Sequence, residues 1–351
     1  MAYLQNSVSA GKRDVMLDVI KSFAIIAVVV GHCIQYGSGI EFFDDSLYFD
    51  NFLFKFIYSF HMPLFMLISG YLFAGSIHKG WKVCVRKKFD SLVVPILSWS
   101  LLPFVIFLFE HWNEGLTMYN VVGAYVNKVL YSLWFLWAVF WCSIVVLIVY
   151  YWCRNSLWIY MLLFVISFFV PDIYHLDLYK YMYPYFIIGF LYREGNYKER
   201  FRRVYSSNYF LLVTGILFAV LLLFYGYEDY IYTSRHCIVN RWGSQLGIDI
   251  YRYAIGFVGS TFVILGLYKV KRYLKILFPV LSYVGRRTMG IYILSGIIFL
   301  HMFLPLTGGL DGLNYGIIIV ESIGVLFLCS IVIEIIVRFK WLNRFLLGGR
   351  S

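Results

Sequence analysis

The first apolar run, "DVIKSFAIIAVVVGHC" (residues 18–33), carries three side chains that can do proton or charge chemistry: Asp18, Lys21 and His32. Lys21 and His32 are eleven positions apart, almost three helical turns. Both therefore project from one helix face, about 16 Å apart along the axis, with Asp18 roughly one turn before Lys21. A second imidazole, His61, stands in "FKFIYSFHMPLFMLISGYLF" next but one to Pro63, and Ser69 follows two turns later. Imidazole has an unperturbed pKa of about 6.5 and can take the proton of a poorly nucleophilic hydroxyl near neutral pH. His61, Ser69 and Lys21 are the types that steady a developing oxyanion. The same residues would also suit an interhelical Asp–Lys pair and two hydrogen-bonded imidazoles, with no chemistry at all.

The elements that must position them are membrane helices. Of 351 residues, 61% are hydrophobic, 21% aromatic and 14% charged, with a mean hydropathy of +0.75; an ordinary soluble domain is about 25% charged. Apolar stretches lie near 15–35, 51–73, 91–109, 130–152, 157–171, 181–192, 209–226, 249–268, 288–304 and 314–337. Most suit a hydrocarbon core of about 30 Å. The stretches 157–171 and 181–192 are short, and "FPVLSYVG" before 288 reads as a re-entrant or interfacial piece.

The expected fold is an all-α polytopic transmembrane bundle of about ten helices with both termini cytoplasmic. It forms a single membrane-embedded domain over 1–351, with no separate soluble domain. Alternating the loops under the positive-inside rule supports this. Lys12, Arg13, Lys79, Lys82, Arg86, Lys87, Lys88, Arg193, Lys269, Arg286 and Arg287 fall inside, while Asp50, Glu110, Asp172, Asp177, Glu228 and Asp229 fall outside. The net charge of +11 is thus a matter of orientation and calls for no nucleic-acid partner. An acid inside a span is costly, so Glu321 in the last stretch joins the candidates. The six cysteines form no CxxC pair and no zinc-ligand spacing, so no metal is expected.

Lys21 to His32 in "KSFAIIAVVVGH", then "FHMPLFMLISGYLF", then the cluster Arg86, Lys87, Lys88 running into "LVVP" resemble the acyltransferase-3 family of membrane O-acyltransferases. "LWFLWAVFWC" (133–142) and "VGRRTMGIYILS" (284–295) are similar to later family segments. The likeness is to the branch of fucose acetylase-like proteins and the enterobacterial common antigen O-acetyltransferase. Two departures are Phe89, where relatives often carry another arginine, and Ser295, where they often carry histidine.

The resemblance implies transfer of an acyl group, usually acetyl, from cytoplasmic acetyl-CoA to a hydroxyl of a cell-surface or lipid-linked glycan. His32 would be the catalytic histidine, as base or acyl carrier, with Lys21 its motif partner and His61 assisting. Arg86, Lys87 and Lys88 would meet the phosphates of coenzyme A, with Ser69 nearby. Apart from the resemblance, Trp134 and Trp137 suit stacking on acceptor sugar faces or anchoring at the membrane interface, and Glu321 suits contact with the acceptor or a pair with Lys21 or a histidine. The expected location is the inner (plasma) membrane of a bacterial cell, among lipid; homo-oligomerisation is left open. A transporter or flippase and a glycan polymerase share the topology. The first predicts symmetric broken helices, and the second a larger outside loop than 227–245.

Overall fold

The computed structural model describes residues 14–37, 47–113, 117–197, 204, 207–239, 241–298 and 314–349. Among these residues it is all-helical. Lys12, Arg13 and the last six residues of the expected stretch 288–304 lie outside them. Six helices among the described residues are long and apolar enough to cross a membrane. They are α1 (Val15–Gly37), α2 (Phe52–Ile77), the run Trp81–Glu110, α6 (Trp134–Trp152), α10 (Trp242–Val270) and α13 (Tyr315–Arg338). The run Trp81–Glu110 comprises α3 (Trp81–Lys88), a π turn (Phe89–Val93) and α4 (Val94–Glu110).

The other four expected stretches are helices too: α7 (Leu157–Ser167), α8 (Leu176–Glu194), α9 (Asn208–Leu223) and α12 (Thr288–Ile298). The expected re-entrant piece is the short helix α11 (Phe278–Arg286), and α14 (Lys340–Leu347) comes after α13. The structure adds α5 (Met118–Tyr131) where the sequence suggests a loop. None of its side chains is buried, which is why its apolar signal is weak. It is tied down instead by the Tyr125 hydroxyl donating to the Leu97 carbonyl at 3.1 Å and by Trp137 Nε1 donating to the Val129 carbonyl at 2.9 Å.

Two close crossings set the frame. A Cβ on Gly70 of α2 would lie 2.0 Å from the Phe186 carbonyl of α8, and one on Gly189 of α8 would lie 2.0 Å from the Leu67 carbonyl. Small residues at reciprocal positions let two backbones approach where no hydrophobic force separates helix from lipid. Likewise a Cβ on Gly285 of α11 would strike the Asp18 carbonyl at 1.9 Å. This seats α11 directly on the first turns of α1 and makes it a wall of the site beside Lys21.

Helix α10 begins seven residues before the expected 249, and its added turns carry Gln245 ahead of Asp249 and Arg252. Gln245 and Arg252 find partners in the preceding loop, and both also bond one oxygen of the Asp249 carboxylate. Arg252, 1% exposed, donates from Nε to the Asp229 carbonyl at 2.9 Å. It also donates to the carbonyls of Arg235 (3.0 Å), Glu228 (2.8 Å) and Tyr230 (3.0 Å), to the Asp249 carboxylate (3.0 Å) and to the Ser234 hydroxyl. A helix can therefore start early among loop residues because one guanidinium takes up the carbonyls they leave open.

Candidate active site

On α2, Met62, Phe65, Ser69, Phe73 and Ser76 recur every three or four residues and so share one face. They line a cavity of about 880 Å³. Lys21 and Ile25 of α1 line it by the same spacing, and Leu136 and Val139 come from α6. One rim is Lys87 and Lys88 at the end of α3, together with Asp90, Ser91 and Leu92 of the π turn. The extra residue of a π turn shifts the register of the helix beyond it, and such turns are frequent at functional sites. A second rim is Arg286, Arg287 and Thr288, where α11 stops and α12 starts.

The cations around this mouth differ in their partners. Lys21 Nζ lies 2.8 Å from the Asp18 carboxylate, whose other oxygen accepts from the Ser282 hydroxyl at 3.4 Å. The nearly buried Asp18 thereby fixes Lys21 at the cavity wall. Lys88 Nζ stands over the Phe73 ring at 4.7 Å. Arg287 pairs with Glu334 and lies 3.8 Å from the Tyr283 ring centroid. Lys87 and Arg286 are exposed and, among the described residues, have no acid within ion-pair range. Arg86 is not a lining residue: its side chain is 81% exposed, with Nε 3.9 Å from Asp90.

The faces that line the cavity continue toward the other end of the bundle, where His32 and His61 lie. His61 precedes Met62 of the lining, and His32 is seven residues beyond Ile25, about 10 Å along α1. His32 Nδ1 meets Gln35 Oε1 at 3.3 Å, and the same oxygen accepts from the Tyr58 hydroxyl at 3.2 Å. An amide oxygen only accepts, so Nδ1 carries the proton and Nε2 is the basic nitrogen of His32. His61 Nδ1 donates to the Ile57 carbonyl at 2.7 Å, which leaves Nε2 basic there as well.

Tyr58 stacks its edge on His61 at 4.8 Å and meets Tyr230 and Tyr232 of the loop before α10 at 6.2 and 6.1 Å. Trp134 meets Tyr232 at 6.0 Å, so it belongs to this aromatic group. Trp137 instead stacks on Trp141 at 6.3 Å and anchors α5. Glu321 is on α13, and its Oε2 is buried with no hydrogen-bond partner among the described residues.

The structure thus brings Lys21, Ser69, Lys87 and Lys88 together at one cavity and places His32, His61, Trp134 and Glu321 beyond its closed end. Arg286, Arg287, Tyr58, Gln35 and Tyr232 were not among the candidates. The signals available for them were an adjacent arginine pair at a helix start and a glutamine one turn after His32. Among the described residues no group of three His, Cys, Asp or Glu side chains could hold a metal ion.

A family model described as an acyltransferase domain matches residues 14–339. The chain belongs to the acyltransferase-3 family. The match takes in the whole of α1, both rims of the cavity and the aromatic group. Among curated proteins, the nodulation protein NolL of Mesorhizobium japonicum is 34% identical over 193 residues, 52% of this chain and 48% of the relative. NolL of Sinorhizobium fredii is 32% identical over 201 residues, 54% and 51% of the two chains. The chain spans about half the length of these curated relatives. No solved structure matches it significantly.

Proposed function

We propose that the protein is a membrane O-acyltransferase that moves an acetyl group from acetyl-CoA, held in the basic cavity, to a hydroxyl of a cell-envelope glycan. The observation that carries this is the cavity itself. Its volume of about 880 Å³ falls within the range of small-molecule and cofactor sites, about 300–1,000 Å³. Its lining brings Lys87 and Lys88 to the same cavity as Arg286 and Arg287, cations enough for the separate phosphates of one nucleotide. The residues present therefore fit coenzyme A, with the nucleotide at the rim and the pantetheine arm directed inward. Family membership and the two bacterial relatives support the same class of reaction.

In this reading the mouth is cytoplasmic and both termini lie on that side of a bacterial plasma membrane, crossed by about ten helices of a single domain. Lys21, oriented by Asp18, and the Ser69 hydroxyl hold the donor arm as it runs from the basic mouth toward His32. His32 Nε2 takes the hydroxyl proton of the acceptor while the carbon–oxygen bond forms. The carbon–sulfur bond then breaks and the proton is returned to the leaving thiolate. Direct attack by the sugar and a passing acyl-imidazole on His32 use the same groups. Tyr58 and Gln35 hold the tautomer that makes His32 a base, and His61 packs against Tyr58. Trp134 and Tyr232 offer flat faces to a sugar, and Glu321, whose Oε2 is buried without a hydrogen-bond partner among the described residues, can accept from its hydroxyls.

The test is label transfer from radiolabelled acetyl-CoA to an envelope glycan extract by purified protein, wild type beside His32→Ala. Label with wild type and none with the variant supports the reading. No transfer by folded wild type from any acyl-CoA in a broad extract contradicts it.

A further inference from the structure

We infer that Phe135, set between Phe65 and Tyr292 at the closed end of the cavity, limits the size of the acyl group that is transferred. This rests on the acyltransferase reading above and adds a specificity residue to it. The cavity changes character along its length: lysine and arginine occupy the mouth, while Ile25, Met62, Phe65, Phe135 and Tyr292 also line it and, by their order along α1, α2, α6 and α12, stand on the side away from Lys88 and Arg286. A donor fixed by its phosphates at the rim therefore presents its acyl end to these five side chains.

Three of them are rings from three different helices. The Phe135 centroid lies 5.8 Å from that of Phe65 on α2 and 5.9 Å from that of Tyr292 on α12, so the three rings pack against one another. The gap in front of these packed rings is thus framed by helices and not by a loop, so it keeps its size when a longer chain is offered. Phe135 also stands at a boundary. Its neighbour Trp134, 5.9 Å away ring to ring, belongs to the aromatic group around Tyr232 and Tyr58 on the histidine side.

The turn that produces this arrangement is strained. Leu133, at the start of α6, has φ +48°, a left-handed conformation that disfavours a side chain. Such strain persists where surrounding structure dictates it, commonly at ligand clamps. Here it starts the helix so that consecutive rings serve opposite sides of one wall. An acetyl methyl passes such a gap with the least displacement of the rings, and each further methylene must displace them more. In a shaped apolar pocket one methylene changes discrimination by about 10–200-fold.

The experiment is single-turnover transfer from radiolabelled acetyl-, propionyl- and butyryl-CoA to the envelope glycan extract by the full chain, with binding of unacylated CoA as a control for folding. Wild type should lose about tenfold or more in rate for each added methylene. Phe135→Ala and Phe135→Leu should flatten that profile by about tenfold or more at butyryl, while Phe135→Trp should steepen it. Binding of CoA should stay within about twofold throughout, because the rim that holds the phosphates is untouched. Phe65→Leu opens the same gap from α2 and carries the test if Phe135→Ala does not fold. An unchanged profile in trimmed variants that still bind CoA would overturn the inference while leaving the acyltransferase reading intact. Wild type that transfers none of the three acyl groups would instead sink the reading on which it rests.

Discussion

The two ends of the bundle hold their charges in opposite ways. At the cavity mouth, Lys87 and Arg286 are exposed, and among the described residues neither has an acid within ion-pair range. At the other end, Arg252 and Asp249 are buried against each other, Lys180 is buried against Asp172, and the loop carbonyls around Arg252 are saturated. Charges that already have partners stabilise a shape, whereas charges held ready at a cavity rim can recognise an anion. In the proposed reading, the basic end binds the donor and the opposite end holds an aromatic surface still beside His32.

The largest effect should come from the residue between the two ends. His32→Ala should lower label transfer by about 10²–10⁴-fold, the usual range for a general base, while CoA binding at the rim stays within about twofold. Loss of CoA binding in that variant would break the separation of the two ends. Next, Arg252→Met should destabilise the far end by about 3–5 kcal/mol, because it strands the buried Asp249 carboxylate. Hydrogen exchange over 228–238 measures this, and protection equal to wild type would refute this role of Arg252.

The pH response sharpens the same contrast. Burial pushes the His236 imidazole down from 6.5 to about 3; its ring stacks on Phe168 at 4.8 Å and its Nε2 meets the Tyr253 hydroxyl at 2.7 Å. Burial pushes the Asp172 carboxyl upward. The Lys180 ammonium and the amide N–H groups of Cys237 and His236 outweigh it and hold the carboxyl below its ordinary value. Both folded values are depressed, so between them and the ordinary values the unfolded loop binds more protons, and stability rises with pH. For His236 the contribution is complete above 6.5 and is lost as pH falls toward about 3. Protection factors over 228–238, corrected for the intrinsic exchange rate, should therefore fall as pH drops through that window by at most about tenfold per pH unit, and His236→Gln should flatten the slope. An unchanged slope in that variant would exclude His236 as its source.

Smaller effects distinguish neighbours within the basic cluster. Lys88→Ala and Arg286→Ala should each weaken CoA binding by about tenfold, in a salt-dependent way. Arg86→Ala should change it by less than about twofold, since its side chain is solvated and faces Asp90. Calorimetric titration with CoA at two salt concentrations ranks the three, and an Arg86 effect as large as that of Lys88 would require a different mouth.

Much of the frame was legible in the sequence. The long apolar runs of α1, α2 and α13 announce themselves, and the spacing of Asp18, Lys21 and His32 fixes which of them share a face. Local pattern is silent about partners far along the chain. Nothing near Arg286 says that α11 will lie on Asp18 and turn the arginine toward Lys87; a glycine contact 267 residues away, Gly285 against Asp18, decides it. Helix α5 escaped because it buries no face, and the early start of α10 because its polar residues find their partners in a loop. Arg86, Lys87 and Lys88 read alike as a cluster, yet a helix end running into a π turn directs only two of them to the cavity.

The central claim is that donor and acceptor meet from opposite ends, and orientation-sorted proteoliposomes test it directly. Labelled acetyl-CoA is supplied either to the face bearing Lys87, Lys88 and Arg286 or to the face bearing the 227–241 loop, with the glycan extract on both sides. The account predicts transfer only when donor is on the basic face. Equal transfer from both faces, or transfer from the loop face alone, would contradict it.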